Sequence, residues 1–106
     1  MNTIELKRKA SGIARDLLLS NENYLDRILE LWKIGNSIYG SAWDTEFHIF
    51  GVISSETDHL PTSKVKEYCS ENWLVKSDKE LEEIISFYSD QVAKACKEIL
   101  LKYEYA

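Results

Sequence analysis

Proline is almost absent from this chain: Pro61 is the single one, and only four glycines accompany it. Helix breakers this sparse exclude a collagen-like or low-complexity chain and leave long stretches free to be helical. Cysteine is equally scarce. Cys69 and Cys96 are too few for a disulfide framework, and both fall where the pattern reads as helical, so two buried thiols are expected. No run approaches the roughly 18–20 apolar residues of a membrane span. The first residues, Met1 to Lys9, carry charges where a signal peptide needs its apolar core. The expected location is therefore the cytoplasm, with no membrane partner. A basic stripe is missing too, which argues against nucleic acid. There is no GxSxG elbow, no phosphate-binding glycine loop and no CxxC pair, so no catalytic residue, no cofactor and no enzymatic role are expected.

What is present is the material of one globular domain. At 106 residues, 44% hydrophobic and 29% charged, the chain is sized for a single helical domain over 1–106 with one core. Its net charge of −5 is unevenly placed. The stretch 21–62 carries Glu22, Asp26, Glu30, Asp44, Glu46, Glu56 and Asp58 against Arg27 and Lys33 alone. A surface of that sign repels phosphates and steers a cationic protein toward it.

Apolar spacing predicts a mainly α fold: an N-terminal helical hairpin, a central irregular or extended segment, a short helix, and a long C-terminal helix packed as a small bundle. The first helix spans 3–19, with Thr3 as its cap and Ile4, Ala10, Ile13, Ala14, Leu17 and Leu18 as its stripe. The second spans about 22–38, with Tyr24, Leu25, Ile28, Leu31, Trp32 and Ile38 on one side. Between Gly35 and Pro61 the pattern is ambiguous. Glu46 to Ile53 has β-favouring residues yet no partner strand. A helical reading from Ser41, with Asp44 completing a capping box, is equally open. Pro61 turns the chain, and Thr62 or Ser63 caps a short helix over 64–69. Residues 72–76 read as a joint. Ser77-Asp78-Lys79-Glu80 reads as the capping box of a helix over 78–103, whose stripe runs from Leu81 and Ile84 through Val92, Cys96 and Ile99 to Tyr103.

Both histidines sit in the acidic middle. His48, Glu56, Asp58 and His59 have side chains of the types that bind zinc, manganese or iron, and Asp58 beside His59 could orient an imidazole. The two histidines are eleven residues apart, outside the usual zinc spacings. Ser55, Thr57 and Asp58 are also residues that bond nearby backbone amides, so a stiff structural loop ending at Pro61 is a second expectation. A third is a recognition surface, with Asp44, Glu46, Glu56 and Asp58 as electrostatic contacts and Trp43 as anchor.

The string Ser55-Glu56-Thr57-Asp58-His59-Leu60-Pro61 resembles a phrase in small uncharacterised bacterial proteins, where a tryptophan-bearing helix and a long terminal helix with an Ala-Cys pair follow. Trp73 and Ala95-Cys96 match those features, and the resemblance covers about 43–100. It implies no catalytic residue. In size and acidity the chain is similar in general type to immunity proteins and antitoxins, which implies a protein partner such as a basic toxin or enzyme. The function expected is thus a cytosolic protein-binding inhibitor. The alternatives are a metal site on His48, Glu56, Asp58 and His59, or a homodimer formed through segment 43–53.

Overall fold

The first helix begins where a polar side chain can meet its unpaired amides. Asn2, one residue before the expected Thr3, accepts from the Glu5 amide at 2.9 Å and opens α1 (Thr3–Leu19). The computed structural model describes residues 2–20, 22–60 and 70–104. The short helix expected over 64–69, with Pro61, Thr62, Ser63 and Cys69, lies outside them. Among the described residues the chain forms helices and no strand: α1, α2 (Tyr24–Tyr39), α3 (His48–Glu56) and α4 (Glu71–Tyr103).

The stripe of α1 is narrower than its periodicity suggests. Ala10, Ser11, Ala14 and Leu17 are buried, whereas Ile4 and Leu18 stay exposed. The small residues let α1 lie close along α4, its main neighbour. On α2, Leu25, Ile28, Leu31 and Ile34 are buried, with Tyr24, Trp32 and Ile38 packed partly against the same core.

The central segment resolves as helix rather than strand. In α3, Ile49, Phe50, Gly51 and Ile53 are all buried. Burial on most sides favours apolar, β-branched residues without imposing an alternating pattern, so local propensity yields to packing. Two glycines allow this packing. A Cβ on Gly35 would lie 2.5 Å from the Phe47 ring, and one on Gly51 would lie 2.6 Å from Trp32. These positions let α2 and α3 approach until ring meets backbone.

The long helix starts earlier than expected. Ser70 caps α4 by accepting from the Trp73 amide at 3.2 Å, so 72–76 is helix and not a joint. Ser77 is buried mid-helix, and its hydroxyl donates to the Leu74 carbonyl instead of capping. With 33 residues, α4 runs about 50 Å at 1.5 Å per residue. Its C-terminal half lays Val92, Ala95, Cys96, Ile99 and Tyr103 into the core. Phe47, Phe50, Ile28, Leu31, Ile53 and Ile99 are the largest fully buried apolar groups, each contributing about 1.5–3 kcal/mol. No helix of the described residues is long and apolar enough to cross a membrane.

Candidate functional site

Between α2 and α3 the chain makes a tight corner closed by side-chain-to-backbone hydrogen bonds. Gly40, at φ +78°, ends α2 in a conformation that costs a side chain energy. The Asn36 side chain then accepts from the Ala42 amide at 2.9 Å. The Thr45 hydroxyl donates to the Ala42 carbonyl and accepts from the Phe47 amide at 3.1 Å. Asp44 adopts φ +63°, which its short polar side chain tolerates, and its amide donates to His48 Nδ1 at 3.1 Å. With Nδ1 as acceptor, the neutral His48 ring carries its proton on Nε2.

Glu46 anchors this corner from below. Its side chain is only 2% exposed, and its carboxylate does not face outward as a partner contact. The Tyr39 hydroxyl donates to Oε1 at 2.6 Å, the Tyr103 hydroxyl donates to the same oxygen, and Lys102 Nζ lies 3.4 Å from Oε2. The two tyrosine oxygens are 3.0 Å apart. Phe47 stacks on the Tyr103 ring and meets Tyr39 edge-on, while Lys7 of α1 sits 5.4 Å above Tyr103. Residues from α2 and α4 therefore converge on one carboxylate, with Phe47 and Lys7 of α1 packed against the rings that hold it.

The titration behaviour follows from that geometry. Burial pushes the Glu46 carboxyl up, but the hydroxyls of Tyr103 and Tyr39 and the charge of Lys102 outweigh it, leaving the group below its ordinary value. Burial and the bond to Glu46 raise both Tyr103 and Tyr39. The carboxylate also holds Lys102 protonated more firmly. A carboxylate made less basic, beside tyrosines that resist ionisation, is poorly suited to proton transfer near neutral pH. It is well suited to fixing a corner.

What the corner displays is Trp43. The ring is 45% exposed, tilted against Trp32 at 4.6 Å between centroids and edge-on to His48 at 5.2 Å. Beside it the Asp44 side chain is 98% exposed.

The other expected residues gather at the far end of α3. Ser55 and Glu56 are helical, and the Thr57 hydroxyl donates to the Ile53 carbonyl at 2.7 Å, so no side-chain-to-amide loop forms through Thr57. Glu56 accepts from the Tyr88 hydroxyl at 2.7 Å. His59 Nε2 pairs with Glu80 at 2.7 Å, and its Nδ1 lies 3.8 Å from Asp58, whose side chain stays 79% exposed. These contacts fasten the exit of α3 to the middle of α4. The expected metal ligands are thereby kept apart: His48 opens α3, and His59 lies beyond its end. Among the described residues no three histidine, cysteine or carboxylate side chains are grouped closely enough to hold a metal ion.

Tyr39, Lys102 and Tyr103 are the partners that sequence reasoning missed as a group. Nothing in spacing links Tyr103 to Glu46, because the contact is made only when α4 folds back on the corner. No family model matches this chain, and no curated protein or solved structure is significantly similar to it.

Proposed function

We propose that this chain is a cytoplasmic protein-binding domain of the immunity or antitoxin type, holding a basic partner protein through Trp43, Asp44 and Asp58, with Glu56 beside them. The observation that carries this reading is Trp43 itself: a large ring left 45% in water on a corner whose backbone is pinned on both sides. Tryptophan is enriched among residues that dominate binding energy. A corner already ordered loses little further entropy on binding. Asp44 and Asp58 flank α3 at its two ends with highly exposed carboxylates, which suits electrostatic steering of a cationic surface. Glu46 takes no part in the contact on this reading; it supports the corner that makes it.

The test is binding to the protein encoded by the neighbouring reading frame, measured with the wild type, Trp43→Ala and the double variant Asp44→Asn/Asp58→Lys, asparagine keeping the positive φ at position 44. Both aspartates are chosen because their side chains are 98% and 79% exposed. The association rate is expected to fall with added salt, and the double variant should lose about tenfold or more in affinity. Unchanged affinity in both variants would rule out this surface.

A further inference from the structure

The side of α4 turned away from the core carries an ordered pattern of its own. Phe87 and Leu101 are 75% and 85% exposed. They are fourteen residues apart, about 21 Å and two heptads along one line of the helix. At 100° per residue that line lies opposite Val92, Ala95, Cys96, Ile99 and Tyr103, which face the core. Asp90, Lys94 and Lys97 project between the two apolar groups. None of these three enters an ion pair among the described residues. On one side of this line Asp90 lies toward the N-terminal end and Lys97 toward the C-terminal end, while Glu98 borders the same stretch on its other side.

The Asp90 and Lys97 pair is complementary to itself when the helix is reversed. We propose that this face of α4 pairs antiparallel with the same face of a second copy of the chain. A twofold axis crossing the helix near Lys94 sets Phe87 against Leu101 of the second copy and Asp90 against its Lys97, and symmetry repeats both contacts. Lys94 falls near the axis, where its aliphatic stem packs and its ammonium reaches outward to water. The antiparallel sense brings acid to base, whereas a parallel arrangement in register would set like charges side by side. With one helix face and two large apolar residues from each copy, the interface belongs to the small class below about 1,200 Å² in total, which associates weakly and reversibly. It uses neither Trp43 nor Asp44, so the two readings stand or fall separately.

Sedimentation equilibrium over a range of protein concentrations at low and high salt provides the test. The wild type is expected to rise from the mass of one chain toward two, less so in high salt. Asp90→Lys alone, or Lys97→Asp alone, should weaken the dimer about tenfold or more, because each creates two like-charge contacts. The combined swap Asp90→Lys/Lys97→Asp should restore it. Phe87→Glu should abolish it without loss of helical circular dichroism, since that side chain is exposed. A wild type with the mass of one chain at every concentration overturns the proposal. So does a dimer indifferent to Asp90→Lys, or a combined swap that remains as weak as the single variants.

Discussion

The carboxylate of Glu46 accepts the hydroxyl of Tyr103 across 57 positions of chain, and the ring of Tyr103 lies stacked on Phe47, the residue next to that carboxylate. One contact thus ties the end of α4 to the corner before α3 by both a charged hydrogen bond and an aromatic face. Each hydrogen bond to a charged group is worth about 1.5–3 kcal/mol, comparable with burial of one large side chain. The corner bearing Trp43 is therefore held as firmly as the core it adjoins.

This relationship fixes a pH profile. Because the folded Glu46 carboxyl lies below its ordinary value of 4.5, the unfolded chain takes up its proton first as pH falls, and the stabilisation present above that value is lost on acidification. Tyr39 and Tyr103 have folded values above their ordinary 10.0, so their contribution is complete below about pH 10 and lost as pH rises further. Melting temperature measured against pH should show a plateau between these limits. Glu46→Gln should blunt the acid limb and cost about 1–3 kcal/mol of stability within the plateau, while Glu46→Ala, which strands two tyrosine hydroxyls, should cost about 3–5 kcal/mol.

Three glycine-to-alanine variants should separate helix propensity from space. A Cβ on Gly12 would meet nothing within 4 Å, so Gly12→Ala should stabilise α1 by about 0.5–1 kcal/mol. Gly35→Ala and Gly51→Ala gain the same propensity but drive a methyl into Phe47 and Trp32. Net destabilisation of about 1–3 kcal/mol is expected for each. Chemical denaturation midpoints will separate the outcomes, and a stabilising Gly35→Ala would contradict the close approach of α2 to Phe47.

The start of α4 is testable at two serines. Ser70→Ala removes the cap and should cost about 1 kcal/mol, whereas Ser77→Ala removes only a bond to the Leu74 carbonyl inside the helix and should stay within about 0.5 kcal/mol. The reverse order would return the helix start to Ser77.

Those serines also mark how far the sequence can be read. The body of α4 is legible because Leu81, Ile84, Val92, Cys96 and Ile99 repeat at helical spacing. Its start is misplaced because Ser77 and Glu80 have the spacing of a capping box while Ser70, the residue that caps, lacks the acidic partner three positions on. Segment 46–53 is ambiguous because a short helix buried on most sides shows neither period clearly. At the candidate site, Trp43, Asp44 and Asp58 can be picked out as exposed groups in a glycine-flanked acidic stretch. Glu46 cannot be distinguished from them. Glutamate is ordinarily a surface residue, and its partners Tyr39 and Tyr103 come from helices whose meeting point no local pattern encodes.

Cys96 should be inert in the folded protein. Its thiol is fully buried, and burial alone pushes it up to about 12, so almost no thiolate is present at neutral pH. Alkylation at pH 8 followed by peptide mass mapping should leave Cys96 unmodified in buffer and modify it in denaturant. Fast modification in buffer would place that part of α4 outside the core.

The most direct measurement of the central claim, that Glu46 is an internal anchor rather than a partner contact, is a double-mutant cycle of Glu46→Gln and Tyr103→Phe by equilibrium denaturation. Residues in one hydrogen-bonded network couple by about 0.5–3 kcal/mol. The account predicts a clear coupling toward the upper part of that range, with the double variant little worse than the worse single one. Additive effects, or two single variants as stable as the wild type, would contradict it and return Glu46 to the surface.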